Sequence, residues 1–115
     1  MELNQIQKDL WEWEKEHFPS TIGHPEQHVL GMCEEVGEIA HMILKSLQRI
    51  REGIDGLTEE VKMEVADGVY DTMVYGLQLL SELGIKAEPG FSETVYKGVL
   101  KRDWNKIREE RKNEI

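Results

Sequence analysis

Two long stretches of helical periodicity, separated by only five residues, constrain this chain more than any other feature. Pro25 suits the first position of a helix, Glu26 favours its dipole, and nothing breaks the pattern until Gly53. The spacing predicts a helix of about 28 residues, or about 42 Å. Gly53-Ile54-Asp55-Gly56-Leu57 is a tight connection, after which Thr58 caps a further helix with Glu59 and Glu60 in its first turn and Gly84 at its end. Long neighbours joined this briefly must be antiparallel.

Shorter elements flank the pair. Asn4 as N-cap with Gln7 three residues on, and Ile6, Leu10, Trp13 and His17 at helical spacing, predict a first helix that stops near Phe18-Pro19. Residues 19–24 are then a linker. Pro89-Gly90 marks a turn, and Ser92 is expected to cap a fourth helix reaching toward Arg111. No alternation of period two persists long enough to mark a strand. The expectation is an all-α fold, a four-helix bundle with two long antiparallel central helices, forming a single domain over residues 1–115. Gly37, Gly68 and Gly76 each weaken a helix interior by about 1 kcal/mol relative to Ala, and close helix contact is their expected use.

Composition narrows the functional classes. No apolar run approaches the roughly 20 residues needed to cross a bilayer, and the N-terminus has no signal-peptide pattern. Cys33, the lone cysteine, reads as a small core hydrophobe, and a cytoplasmic location is expected. The net charge is −9, unevenly spread: residues 1–96 hold 19 acids and 7 bases, net −12, and residues 97–115 hold 4 acids and 7 bases, net +3. An acidic body argues against nucleic-acid binding, which depends on neutralising many phosphates. The basic tail is either a solvated helix end or a site for a small polyanion.

The carboxylates carry the chemistry. On a helical wheel Glu35 falls inside the apolar arc of the second helix, with Met32, Ile39, Met42, Ile43, Val36, Leu47 and Ala40, and Glu38 lies at its edge beside Glu35. A carboxylate in an apolar stripe is costly unless compensated. The third helix is apolar around most of its circumference, leaving one narrow polar strip of Glu60, Glu64, Asp67, Asp71, Gln78 and Glu82. Alone, that strip is a solvent face. Opposite Glu35 and Glu38 it reads as a hard-metal site, since clustered acids without cations raise one another's pKa values and oxygen-only ligands favour Mg²⁺ or Mn²⁺.

Glu34-Glu35-Val36-Gly37-Glu38, followed by Glu64-Val65-Ala66-Asp67, resembles the EExxE and ExxD signature of the MazG-like nucleotide pyrophosphohydrolases, an all-α superfamily. Leu83-Gly84-Ile85 and Lys101-Arg102-Asp103-Trp104 extend the resemblance over residues 26–104. It implies cleavage of a nucleoside triphosphate to monophosphate and pyrophosphate, with Glu35, Glu38, Glu64 and Asp67 holding Mg²⁺ and Glu34 orienting or deprotonating the attacking water. On a helical wheel Lys97, Lys101 and Arg108 share one face of the fourth helix and are candidates to meet phosphate; the resemblance favours Lys101 and Arg102 for that role and implies that Trp13 and His28 meet the base. Core packing is the competing role for Trp13. Asp71 is an addition to the family pattern and is expected beside the ligands as a supporting acceptor. A homodimer or dimer of dimers is expected from both the resemblance and the largely apolar third helix.

Two other readings stay open. Glu38-Ile39-Ala40-His41 is one ExxH of the kind found in carboxylate-bridged di-iron bundles, but the third helix supplies no second one. A non-enzymatic helical interaction module would leave the acids solvated and use the apolar surplus to bind a partner. Phosphate loops, dinucleotide-binding loops, zinc-protease motifs and CxxC motifs are absent, and with one cysteine and no nucleophile motif a covalent mechanism has nothing to rest on.

Overall fold

Thr58 Oγ1 accepts the Val61 N–H at 3.2 Å and opens helix α3 (Glu59–Glu82), with Glu59 and Glu60 in the first turn. In this computed structural model, which describes residues 2–54 and 56–114, the two long elements lie where the sequence predicts them. Helix α2 spans Pro25–Ile50, and Gly53 and Gly84 take positive φ values of 77° and 71° beyond the ends of α2 and α3. Only glycine enters that region readily. Asp55, in the connection, lies outside the described residues. The remaining described chain is helix, turn or loop, with no strand.

The pairing of α2 with α3 is antiparallel. Gly31 faces Tyr75, Ile39 faces Gly68 and Ile50 faces Gly56, so numbers rise along one helix as they fall along the other. A Cβ at Gly31 would lie 2.6 Å from Tyr75 Cε1, and one at Gly68 would lie 2.7 Å from Ile39 Cγ1. Those two glycines let the backbones close up. Gly76 is less tightly met, at 3.9 Å from Met32 Cε, and nothing in the chain lies within 4 Å of a Cβ at Gly37. Close contact within the chain therefore explains Gly68 and not Gly37.

Helix α1 (Leu3–His17) packs against α3. Its N-cap is Glu2, not the expected Asn4, because the Asn4 side chain is engaged elsewhere. Asn4 Nδ2 donates to the Glu88 carbonyl at 3.2 Å and Asn4 Oδ1 accepts the Glu88 N–H at 2.8 Å. Gln7 Nε2 donates to the Ile85 carbonyl at 2.9 Å, and Gln7 Oε1 accepts the Ala87 N–H at 2.8 Å. These four bonds satisfy backbone groups that would otherwise be stranded beyond α3, and they fasten residues 85–88 to α1.

The expected fourth helix is broken. Helix α4 (Gly90–Glu93) passes into a π turn (Thr94–Gly98) and a 3-10 turn (Val99–Lys101) before α5 (Trp104–Lys112). Gly98, at φ −112° and ψ −82°, and Arg102, extended at φ −74° and ψ 119°, interrupt it, and Asp103 restarts it by accepting the Lys106 N–H at 3.0 Å. The four-helix bundle is thus a bundle of α1, α2 and α3 with a segmented C-terminal arm. Within the arm α4, the π turn and the 3-10 turn contact one another in order, and no arm segment packs extensively on α1–α3.

The chain does not close a core of its own. Ala87 is the only described apolar residue that is buried. The outer half of the α2 arc, Val36, Ala40 and Leu47, is exposed, and so is Cys33, contrary to its expected place in the core. The radius of gyration is 19.0 Å, against about 13 Å for a compact chain of this length. No described helix is long and apolar enough to cross a membrane.

Candidate active site

Glu35, on the α3-facing side of α2, is half-buried, and Asp71 stands on the facing helix. Burial pushes the Glu35 carboxyl above its usual range, and Glu38, Asp71 and Glu34 push it further. The Tyr75 phenol is raised in the same way, first by burial and then by Glu35, Glu34, Asp71 and Glu38. Four carboxylates thus share one field, and no cationic side chain offsets it at either group. Such a field favours a bound cation.

Glu35, Asp71 and Tyr75 line a cavity of about 480 Å³ together with Trp13, Phe18 and His28. That volume falls among those of small-molecule sites, about 300–1,000 Å³. The rings of Trp13, Phe18 and Tyr75 border one space with the carboxylates of Glu14, Glu35 and Asp71, so a ligand with both a flat apolar part and an anionic, cation-bearing part meets suitable surfaces. The α2–α3 pairing sets this arrangement, because Tyr75 is seated on Gly31 one turn from Glu35.

The other expected ligands are placed less tightly. Glu34, Glu38, Glu64 and Asp67 are exposed and do not line the cavity. Among the described residues, these acids and Glu35 form no group of three with oxygens within 4.8 Å of one another. Glu64, Asp67 and Asp71 follow one stripe of α3 by steps of three and four. Asp71, expected in a supporting role, is the α3 carboxylate that reaches the cavity.

His28 lines the cavity and is 3% exposed, whereas Trp13 is 46% exposed. Core packing within the chain is therefore not the role of Trp13. Its ring stacks on His17 at 5.1 Å between centroids and meets Phe18 edge-on at 5.4 Å. Lys97, Lys101 and Arg102 lie on the arm, exposed, and the recorded ion pair there is local, Lys97 to Glu93 at 3.6 Å. The shared helical face expected for Lys97, Lys101 and Arg108 is lost where the helix breaks.

A buried polar group, in which Glu14 and Thr21, not singled out in the sequence, join His28, lines the same cavity. His28 Nε2 donates to Glu14 Oε2 at 2.8 Å, and Thr21 Oγ1 approaches the same oxygen at 2.6 Å. Glu82 accepts the Gly23 N–H on both oxygens, at 2.9 and 3.1 Å. One ligand atom each from Glu14, His28 and Glu82 lie within 4.8 Å of one another, and this is the one such metal-capable group among the described residues. Glu14 Oε2, His28 Nε2 and both Glu82 oxygens are engaged in joining α1, the linker, α2 and α3, whereas Glu14 Oε1 and His28 Nδ1 are buried without a hydrogen-bond partner among the described residues. The pattern along α1 could not flag Glu14, since its partners come from the loop closure and not from helical spacing.

No family model, curated protein or solved structure matches the chain.

Proposed function

We propose that the protein is a Mg²⁺-dependent nucleoside triphosphate pyrophosphohydrolase, giving nucleoside monophosphate and pyrophosphate and serving nucleotide-pool control or house-cleaning. The observation that carries this reading is the cavity in which Glu35 and Asp71 share walls with Trp13, Phe18 and Tyr75. A base can lie against the aromatic rings, and a triphosphate with its cation can lie against the acids. The raised Glu35 carboxyl fits a resident hard cation, because the acids around it repel one another and no base neutralises them.

In this reading Glu35, Glu38, Glu64 and Asp67 hold Mg²⁺ and Asp71 supports them or joins them. Bound Mg²⁺, or Mn²⁺ in its place, supplies charge neutralisation of phosphate oxygens. Glu34, exposed beside Glu35, takes the proton of the attacking water. His28 is held rigidly by Glu14 and orients the base edge, with Trp13 stacking on its face. The chain works as a homodimer or dimer of dimers in the cytoplasm. Glu38→Gln or Asp67→Asn is expected to abolish turnover while circular dichroism stays helical, and wild-type turnover in either variant would remove the metal assignment.

The exposed apolar surface also favours a second reading, a helical interaction module without catalysis. Its mark is a melting temperature indifferent to Mg²⁺.

A further inference from the structure

The C-terminal arm leaves the bundle at a fixed point and touches little of it afterwards. Residues 85–88 are pinned to α1 by Asn4 and Gln7. From Gly90 onward the recorded side-chain hydrogen bonds and ion pairs stay within residues 88–112, and none reaches α1, α2 or α3. The arm nevertheless carries large apolar side chains: Phe91, Tyr96, Leu100 and Trp104 are 61%, 66%, 64% and 47% exposed. An arm that is apolar and unpacked on its own chain is built to pack on something else.

Charge and area select the occupant. Residues 97–115 carry net +3, while residues 1–96 carry net −12, so the surface that complements the arm best is the acidic body of this same chain. The accessible surface is 8947 Å², about 2,400 Å² more than the roughly 6,500 Å² expected of a compact monomer of this mass. That surplus exceeds the about 800 Å² per partner that a standard interface buries. On the receiving side α2 offers exposed Val36, Leu44 and Leu47 around Gly37, where a neighbouring backbone can approach without obstruction.

As folded, the arm does not cover its own carboxylates, since none of its segments packs extensively on α2 or α3. It departs beyond Glu82, whereas Asp67 and Glu64 lie 15 and 18 residues earlier on α3, about 22 and 27 Å along the helix axis. We propose that the arm of one copy lies across the acidic α2–α3 face of a second copy, reciprocally, so that Lys101 and Arg102 complete the carboxylate site of the partner and not of their own chain. A two-fold arrangement of this kind closes, because each copy offers both an arm and an acidic face. Only the role of Lys101 and Arg102 at phosphate rests on the function proposed above; the seating of the arm does not.

Two experiments on the full-length protein test this. In the first, isotope-labelled and unlabelled chains are unfolded together, refolded, and treated with a carbodiimide that joins lysine directly to carboxylate. Mixed-label crosslinks between Lys101 or Lys97 and acids of α2 or α3 are expected; same-label crosslinks alone, or a monomeric mass by light scattering, would overturn the arrangement. No nucleotide is needed, so this result stands even if the chain hydrolyses none.

In the second, Glu38→Gln and the double variant Lys101→Ala, Arg102→Ala are assayed separately and after co-refolding in equal amounts. Each alone is expected to be inactive. The mixture is expected to recover about a quarter of the wild-type rate, since half the dimers are mixed and each then holds one intact site. No recovery, with both variants folded and mixed, would show that the arm serves its own chain.

Discussion

His28 Nε2 donates to Glu14 Oε2 at 2.8 Å across the linker that joins their helices, and both side chains are almost wholly shielded from solvent. Thr21, from the linker itself, shares the same carboxylate oxygen. One carboxylate therefore ties the end of α1 to the first turns of α2 and shapes the cavity wall. Glu14→Ala leaves His28 Nε2 buried without an acceptor and is expected to destabilise the protein by about 1–3 kcal/mol. A denaturant midpoint equal to that of the wild type would contradict this role.

Gly31 and Tyr75 set how closely α2 approaches α3. A methyl group at residue 31 would meet the Tyr75 ring at 2.6 Å, which the ring can relieve only by moving into the cavity or separating the helices. Gly31→Ala is expected to cost about 1–3 kcal/mol despite the better helix propensity of alanine. The paired variant Gly31→Ala, Tyr75→Leu should recover part of that loss in thermal melts. Additive losses in the pair would show that the ring is not the obstacle.

The raised Glu35 carboxyl makes a pH prediction for the metal-free protein. Its folded-state pKa lies above the unfolded value, from burial first and then from Glu38, Asp71 and Glu34, so the folded form holds its proton more tightly. Stability falls as pH rises from the unfolded pKa through the folded one, and the loss is complete above the folded value. Glu35→Gln should therefore raise the melting temperature at neutral pH, with the gain shrinking to nothing below the usual carboxylate range. An equal gain at acidic and neutral pH would assign the effect to something other than this charge.

The same acids predict the response to metal. If they hold Mg²⁺ in the folded state only, stability should climb with metal concentration, by about 2.7 kcal/mol at a hundredfold excess over the dissociation constant. Calorimetry across a Mg²⁺ series checks it, with the Asp71→Asn and Glu38→Gln variants expected to respond less. A melting temperature that does not move with Mg²⁺ would favour the interaction-module reading.

Much of the helical frame was legible because local chemistry decides it. Pro25, Thr58 and Gly84 mark their helix ends through fixed φ, an oxygen cap and a left-handed backbone, effects that span a few residues. The broken fourth helix was not legible in that way: periodicity continues through Gly98 and Arg102, while the backbone there leaves the helix. Asn4 looked like a cap and became a tie to Glu88, a residue 84 positions away. At the site, the placement of Glu35 followed from its position in an apolar arc. Glu14, Tyr75 and the engagement of Asp71 depend on which helices meet, and no periodicity within one helix encodes that.

The proposed activity is hydrolysis of nucleotides by the acids and aromatic rings around one cavity. Its most direct test is to incubate the wild-type protein and Glu35→Gln with ribo- and deoxyribonucleoside triphosphates in Mg²⁺ and separate the products by chromatography. Monophosphate and pyrophosphate in equal amounts are expected from the wild type, none without metal, and a loss of at least about a hundredfold in the variant, the scale of one general-base or metal-ligand contribution. No turnover of any nucleotide, or release of diphosphate and inorganic phosphate, would contradict that activity.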